Sequence, residues 1–346
     1  MMRLPWFEFR APRTVAEAAA ILAGEGARAM PIAGGTDLIP NMKRRQQAPG
    51  LLVSLRGIEE LKRMGNGGGT TLGAGLTLTG IVRSAVVRES HTALYQAAAQ
   101  VATVHLRNMG TIGGNLCLDT RCNYYNQNYE WRKAIDFCMK KDGEVCWVAT
   151  ASKRCVATSS TDCAPALIAL GARVRLVSAS GERELALEQL YRNDGIEYLT
   201  RRPDEIVTAV VLPAASDRAG WRSTYWKLRR RGAFDFPVLG VAAAVRFAPD
   251  ATVEQARIAL GAVSSQPLVS KAAEFLAGRK LSDEVIAEAG RLVASRAKPM
   301  DNADLDVYWR KEVVADFVGY ALRELRGDDV RAQRYSVARQ SLAAVA

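Results

Sequence analysis

Histidine is almost missing from this chain: His91 and His105 are the only two in 346 residues. That scarcity excludes a histidine-rich metal site, and neither residue sits in the local signature of a Ser-His-Asp triad. Long apolar runs are missing too, so no membrane-spanning helix is expected. The first residues, Met1-Met2-Arg3-Leu4-Pro5-Trp6-Phe7-Glu8, lack the apolar stretch of a secretory leader. There is no G-x-G-x-x-G fingerprint and no P-loop, which leaves ATP chemistry without support. Cysteine is absent from most of the chain, and all six fall between Cys117 and Cys163. Thiols used as small core hydrophobes scatter, whereas thiols sharing a ligand converge.

What is present is an ordinary globular composition, 49% hydrophobic and 24% charged, long enough for two or three subdomains. A cytoplasmic location is expected, where structural disulfides are disfavoured and clustered cysteines read as metal ligands or redox thiols. The net charge is +11, but the basic residues are spread out. The tight runs, Lys43-Arg44-Arg45 and Arg229-Arg230-Arg231, suit solvated faces or anion contacts better than a nucleic-acid arm. An acidic protein partner is an equally good reason for a basic surface.

Thr14-Val15-Ala16-Glu17 has the form of a capping box, with Val15, Ala18, Ala19 and Leu22 on one helical face and glycines 24 and 26 as the stop. Strands are predicted at 29–33, 51–55, 71–78, 173–178 and 206–212, with glycine-rich turns at 65–69 and 180–181. Helices are predicted at 79–88 and 92–103. Residues 213–220 read as a linker. Beyond it, strands at 221–228, 238–247 and 255–263 are expected to form an antiparallel sheet, followed by helices at 272–277 and 283–296. A last helix carries Val314, Phe317, Val318, Ala321, Leu322 and Leu325 on one face; the tail after Gly327 has no strong pattern.

Two loops share one design, Ala33-Gly34-Gly35-Thr36-Asp37 and Thr111-Ile112-Gly113-Gly114-Asn115. Glycine lets the backbone approach a ligand closely, and the exposed N–H groups of such turns form nests for phosphate oxygens. One Gly-Gly turn is usually only a turn. Two such loops with side-chain donors suit a diphosphate held between two subdomains.

Together with the Phe9-x-x-Pro12-x-Thr14-x-x-Glu17-Ala18 lead-in, these loops make the chain resemble the FAD-binding subunits of the xanthine dehydrogenase family of molybdenum hydroxylases. The resemblance covers nearly the whole chain. It implies an α+β architecture: a vanillyl-alcohol-oxidase-type (PCMH-type) two-subdomain FAD-binding fold, then an α+β C-terminal domain with an antiparallel sheet. The implied divisions are 1–57 and 58–216 for the FAD subdomains, 217–326 for the C-terminal domain and 327–346 for the tail. It further implies that Ala29, Met30, Pro31, Ile32, Ala33, Gly34, Gly35, Thr36 and Asp37 line the FAD pyrophosphate and ribityl chain. Thr111, Ile112, Gly113, Gly114 and Asn115 would supply the second loop, Val101 would touch the flavin region, Asp162 would match the family's Ser/Thr-Asp, and Lys227 would sit near the isoalloxazine.

The chain departs from that pattern in one place. Asn115 and Asp162, close in typical relatives, are 47 positions apart here. The extra segment, residues 117–160, reads as an irregular loop with little apolar core and carries Cys122, Cys138, Cys146 and Cys155, spaced C-x15-C-x7-C-x8-C. Four thiolates hold iron–sulfur clusters, and zinc is the rival on spacing alone, although the short C-x2–4-C knuckles of four-cysteine zinc sites are absent. Within the family the insertion resembles the 4-hydroxybenzoyl-CoA reductase branch, which implies a 4Fe–4S cluster on these four cysteines. Arg121, Lys140, Lys141, Lys153 and Arg154 are expected to offset its charge, with Cys117 and Cys163 as packed free thiols. The same branch implies ferredoxin as electron donor and a dimer of heterotrimers with a molybdopterin large subunit and a 2Fe–2S small subunit. No residue here is expected to do acid–base catalysis. The alternatives are an aldehyde-, CO- or xanthine-type flavin subunit passing electrons to NAD or oxygen, and a zinc-stabilised nucleic-acid module.

Overall fold

A computed structural model describes residues 2–65, 69–214 and 220–343, with the side chains of 338–343 left aside. The glycine-rich turn at 65–69 and the linker at 213–220 therefore fall partly outside the described residues.

The N-terminal unit is a three-stranded parallel sheet in the order β1 (Glu8–Arg10), β3 (Leu51–Ser54), β2 (Ala29–Ile32). Helix α1 (Val15–Glu25) covers it, and a second, short helix α2 (Leu38–Lys43) leaves the first Gly-Gly loop. The Thr14 hydroxyl accepts from the Glu17 N–H at 3.1 Å, while the Glu17 carboxylate reaches back to the Arg13 N–H at 2.8 Å. Val15, Ala18, Ala19 and Leu22 are buried on the sheet, as their spacing predicts.

The second unit is a five-stranded antiparallel sheet in the order β4 (Met64–Gly65), β5 (Thr71–Gly73), β8 (Ile206–Val211), β6 (Arg173–Ser178), β7 (Gly181–Ala186). Short helices α3 (Leu78–Arg83), α4 (Ala85–Ser90), α5 (Thr92–Ala99), α6 (Val104–Arg107) and α7 (Ile112–Leu116) lie between β5 and the cysteine-bearing insertion. The insertion is irregular apart from α8 (Tyr129–Ala134), and α9 (Cys163–Ala169) follows it. Three expectations are corrected here. The strand at 71–78 stops at Gly73, because Thr77 turns the chain and caps α3, its hydroxyl accepting from the Gly80 N–H at 3.0 Å. The helix at 79–88 breaks where Ser84 caps α4, and the helix at 92–103 ends at Ala99. The hairpin strand β7 has no apolar alternation to announce it; its residues are largely exposed.

The third unit is an antiparallel sheet, β12 (Leu268–Val269), β11 (Val253–Gly261), β10 (Leu239–Phe247), β9 (Trp221–Leu228), backed by α10 (Asp283–Arg296) and α11 (Val307–Arg326). Alternation along β10 divides its two faces. Val241, Ala243 and Val245 join the core under α10 and α11, while Ala242 and Ala244 join the core of the second unit beneath α5 and α9. Small side chains on that second face let the helices approach closely, so the third unit is welded to the second. The helix expected at 272–277 is instead a 3-10 helix, Lys271–Leu276.

The tail is the largest correction. Residues 331–343 form a helix, α12. Its composition is too polar to betray a buried face; among the described residues Val337 packs on the core of the third unit, and the Arg334 guanidinium lies 4.1 Å from the Trp226 ring centre and donates to Glu324 at 2.7 Å and Thr224 at 2.9 Å. Arg334→Ala is expected to cost about 1–2 kcal/mol and to make the tail more sensitive to proteolysis, read from the denaturation midpoint and a limited digest.

Candidate functional site

The two Gly-Gly loops meet. Where β2 ends, Gly34 is pressed against the backbone of Met109, which leads into the second loop, so closely that a Cβ on Gly34 would lie 1.9 Å from the Met109 carbonyl oxygen. Only glycine permits this approach. Among the described residues, none of Gly34, Gly35 and Thr36 donates its backbone N–H to another group of the chain, so these donors remain available to a ligand. In the second loop the Thr111 hydroxyl accepts from the Gly114 N–H at 3.1 Å, and the Gly113 N–H is used by the Ala74 carbonyl at 2.9 Å. This loop is braced from below. The first is the more open of the two.

Asn115 turns inward. Its side-chain oxygen accepts from the Thr161 hydroxyl at 2.7 Å and the Cys163 N–H at 3.2 Å, which ties the second loop to the far end of the insertion. Asp162, next in sequence to Thr161, is buried and accepts from the Tyr225 hydroxyl at 2.8 Å and from Lys227 Nζ at 3.0 Å. Lys227 also donates to the carbonyls of Gln100 and Asp235, at 3.0 and 2.9 Å, which occupies all three of its protons. Burial pushes the Asp162 carboxyl up and the Lys227 ammonium down, each opposed by the other's charge. Val101 follows Gln100, and its carbonyl is held by Arg107 at 2.7 Å. The predicted Asp162 and Lys227 thus form one buried pair at the seam between the second and third units, tied to Gln100, the residue before the partly buried Val101.

The insertion springs from a neck where Arg121 and Thr158 exchange backbone hydrogen bonds of 2.8 and 2.7 Å. Its four inner cysteines are all buried and line a single small cavity with Tyr124, Tyr125, Lys140 and Trp147. Among the described residues no three His, Cys, Asp or Glu side chains are grouped to hold a metal ion. Burial raises the Cys122 thiol to about 12, against the pull of the Tyr124 and Tyr125 N–H groups. It raises the Cys155 thiol to about 11, against the Ala157 N–H, 3.4 Å away, and the charge of Lys140. Gly195 closes the wall; a Cβ there would lie 2.5 Å from the Cys155 sulfur.

Of the five cations expected around these thiols, Lys140 alone lines the cavity. Arg121 instead forms an ion pair with Asp37 of the first loop, donates to Asn41 at 3.1 Å, and stacks 4.7 Å from the centre of the Phe236 ring. Lys141 pairs with Asp142 at the surface, Lys153 is exposed, and Arg154 bonds the Asn193 carbonyl. The expectation fails for these four because long side chains reach past sequence neighbours to partners that only folding supplies. Asp119, Asn41, Tyr225 and Phe236 were not legible as site residues at all, since nothing in their local sequence marks them.

The architecture is that of a two-subdomain, PCMH-type FAD-binding protein with a helix-backed antiparallel C-terminal domain. Residues 5–215 match the FAD binding domain in molybdopterin dehydrogenase, and residues 223–325 match the CO dehydrogenase flavoprotein C-terminal domain. The aldehyde oxidoreductase FAD-binding subunit of Escherichia coli is 32% identical over 70% of this chain and 77% of its own length. The nicotinate dehydrogenase FAD-subunit of Eubacterium barkeri is 28% identical over 89% and 92%. The structure of carbon monoxide dehydrogenase from Hydrogenophaga pseudoflava superposes with a TM-score of 0.75 at 26% identity, covering 93% of this chain and 98% of that one. The chain belongs to the molybdopterin dehydrogenase family as an FAD-binding oxidoreductase subunit.

Two outcomes are expected. Gly34→Ala, which cannot be accommodated without separating the loops, is expected to weaken FAD retention at least about tenfold, or about 1.4 kcal/mol, measured as flavin absorbance per chain. Lys227→Met leaves Asp162 buried without its partner and is expected to cost about 3–5 kcal/mol; adding Asp162→Leu is expected to recover much of that loss in a denaturation series.

Proposed function

We propose that this chain is the electron-transfer subunit of a 4-hydroxybenzoyl-CoA reductase, holding FAD between its two Gly-Gly loops and a 4Fe–4S cluster on Cys122, Cys138, Cys146 and Cys155. The observation that carries the reading is the single cavity lined by all four inner thiols of the insertion. Its neck is joined to the first flavin loop through Arg121 and Asp37. Four thiolates are the usual ligands of an iron–sulfur cluster, and the short C-x2–4-C knuckles usual in four-cysteine zinc sites are absent from this segment.

In this reading residues 29–37 cradle the pyrophosphate and ribityl chain, the free N–H groups of Gly34, Gly35 and Thr36 supplying donors. The brace of Thr111, Gly113 and Asn115 keeps the second loop rigid. Asp162 and Lys227 act by fixing the Gln100–Val101 segment beside the flavin rather than by touching substrate. Tyr124, Tyr125 and Trp147 supply aromatic wall to the cavity. The chemistry the two groups supply is one-electron transfer from a reduced ferredoxin towards 2Fe–2S and molybdopterin centres on small and large partner subunits, where the phenolic hydroxyl of 4-hydroxybenzoyl-CoA is reductively removed as water. We assign residues 1–57, 58–216 and 217–326 to the two FAD subdomains and the C-terminal domain, and the complex to the cytoplasm as a dimer of heterotrimers. Among the described residues no helix is long and apolar enough to cross a membrane.

A second reading is favoured by the relatives themselves, which are named for aldehyde, nicotinate and carbon monoxide oxidation. On that reading electrons leave through FAD to NAD or oxygen, and the cavity is only a structural core.

Anaerobic purification followed by iron, sulfide and flavin analysis separates the two. The expected result is about four iron and four sulfide with one FAD per chain, and Cys138→Ser is expected to remove the cluster's signal while FAD stays bound. Zinc in the cavity, or a cluster-free chain that turns over NADH, overturns the proposal.

A further inference from the structure

Lys140 is the one charged side chain among the eleven residues lining the thiol cavity. It is 6% exposed, and its ammonium meets three acceptors: Asp119 Oδ1 at 2.8 Å, the Thr120 hydroxyl at 2.6 Å and the Gly195 carbonyl at 2.5 Å. The Thr120 hydroxyl spends its own proton on the same Gly195 carbonyl, so it can only accept from Lys140. Three acceptors require three donated protons, which describes a cationic ammonium locked in one position. The ring of Tyr125 lies 4.7 Å from Nζ and that of Tyr198 lies 5.4 Å away. Such a buried pair is expensive to desolvate and adds little net stability, so its persistence beside four thiols points to an electrostatic role.

Asp119, its partner, is 5% exposed and serves both sides of the neck. It accepts from the Tyr125 hydroxyl at 2.9 Å on the cavity side, and its backbone N–H points to Asp37 of the first flavin loop at 3.4 Å. Asp37 is in turn neutralised by Arg121. Two ion pairs, Lys140–Asp119 at the cavity and Arg121–Asp37 at the flavin loop, are therefore joined through the Asp119 N–H and the Asp37 carboxylate, and both members of the pair at the cavity end are buried.

Resting on the cluster reading above, we propose that Lys140 is a positioning residue that holds a fixed positive charge against the thiolate-bound cluster and sets its reduction potential, with Asp119 as the counter-charge that moderates it. A cation at the wall favours the reduced, more negative form of the cluster; a carboxylate behind it disfavours that form. The two side chains therefore pull the potential in opposite directions.

The test is an EPR-monitored redox titration of the intact complex carrying Lys140→Met or Asp119→Asn, alongside the unmodified protein. Lys140→Met is expected to lower the reduced-to-oxidised ratio of the cluster at least tenfold at fixed poise, a shift of 59 mV to more negative values for one electron. Asp119→Asn is expected to shift it the other way. A purely structural role predicts lower cluster content in both variants with no opposed shift, and that result overturns the proposal. If Lys140→Met fails to load iron, the sign of the Asp119→Asn shift alone decides: positive supports the proposal, zero or negative overturns it. A cluster-free unmodified protein is a different failure, recognised by iron analysis before any titration, and removes the reading on which the proposal stands.

Discussion

A carboxylate with no water to turn to holds the molecule together. Asp162 sits at the start of α9, where the insertion ends, and meets Tyr225 and Lys227 of β9 across the seam between the second and third units. Its neighbour Thr161 is tied to Asn115 of the second glycine loop, and Lys227 reaches on to Gln100, just ahead of Val101. One buried charge pair thus fixes four segments at once: the second loop, the Gln100–Val101 turn, the root of α9 and the C-terminal sheet. An unpaired ion at this depth is far costlier than the pair, so the segments are positioned together.

The insertion obeys the same physics without a large core. Its apolar cluster is small, Cys122, Tyr125, Cys138, Cys155 and Ala157 with a few partly buried neighbours. Order comes from polar anchors reaching outside it. Arg121 grips Asp37 and Asn41, and Arg132 donates to the carbonyls of Arg44 and Arg45 at 3.1 and 3.3 Å between the rings of Tyr129 and Phe137. Asn302 of the third unit holds the Val156 carbonyl at 2.5 Å and takes the Asn123 N–H at 3.0 Å. Because Arg121 anchors to the first Gly-Gly loop itself, the shape of the thiol cavity and the shape of that loop are mechanically joined.

The parts that were legible share a physical cause. α1, α10 and α11 carry apolar residues at helical spacing over more than two turns, and the buried faces of α1 and α11 include the residues expected there. Of the strands of the third unit, β10 is apolar on both faces for most of its length, and β9 and β11 each carry a continuous buried stretch. Short elements were not legible, since α3, α4 and α6 run for six residues or fewer and are delimited by single capping hydroxyls on Thr77, Ser84 and Thr103. α12 was invisible because Arg334 and a single packed valine, Val337, rather than a long hydrophobic stripe, dock its described part.

The amino-acid order alone determined the family-like frame: glycines that let two loops approach each other, and four cysteines gathered into one excursion. Those features are local, resting on backbone freedom and on residue types within a short stretch. Which cation serves which anion was decided by tertiary structure. Arg121 lies beside Cys122 in the chain yet turns to Asp37, while Lys140 alone faces the thiols. Long side chains choose partners by distance and burial in three dimensions, and Coulomb energy depends on both, so sequence proximity carries no information about either pairing.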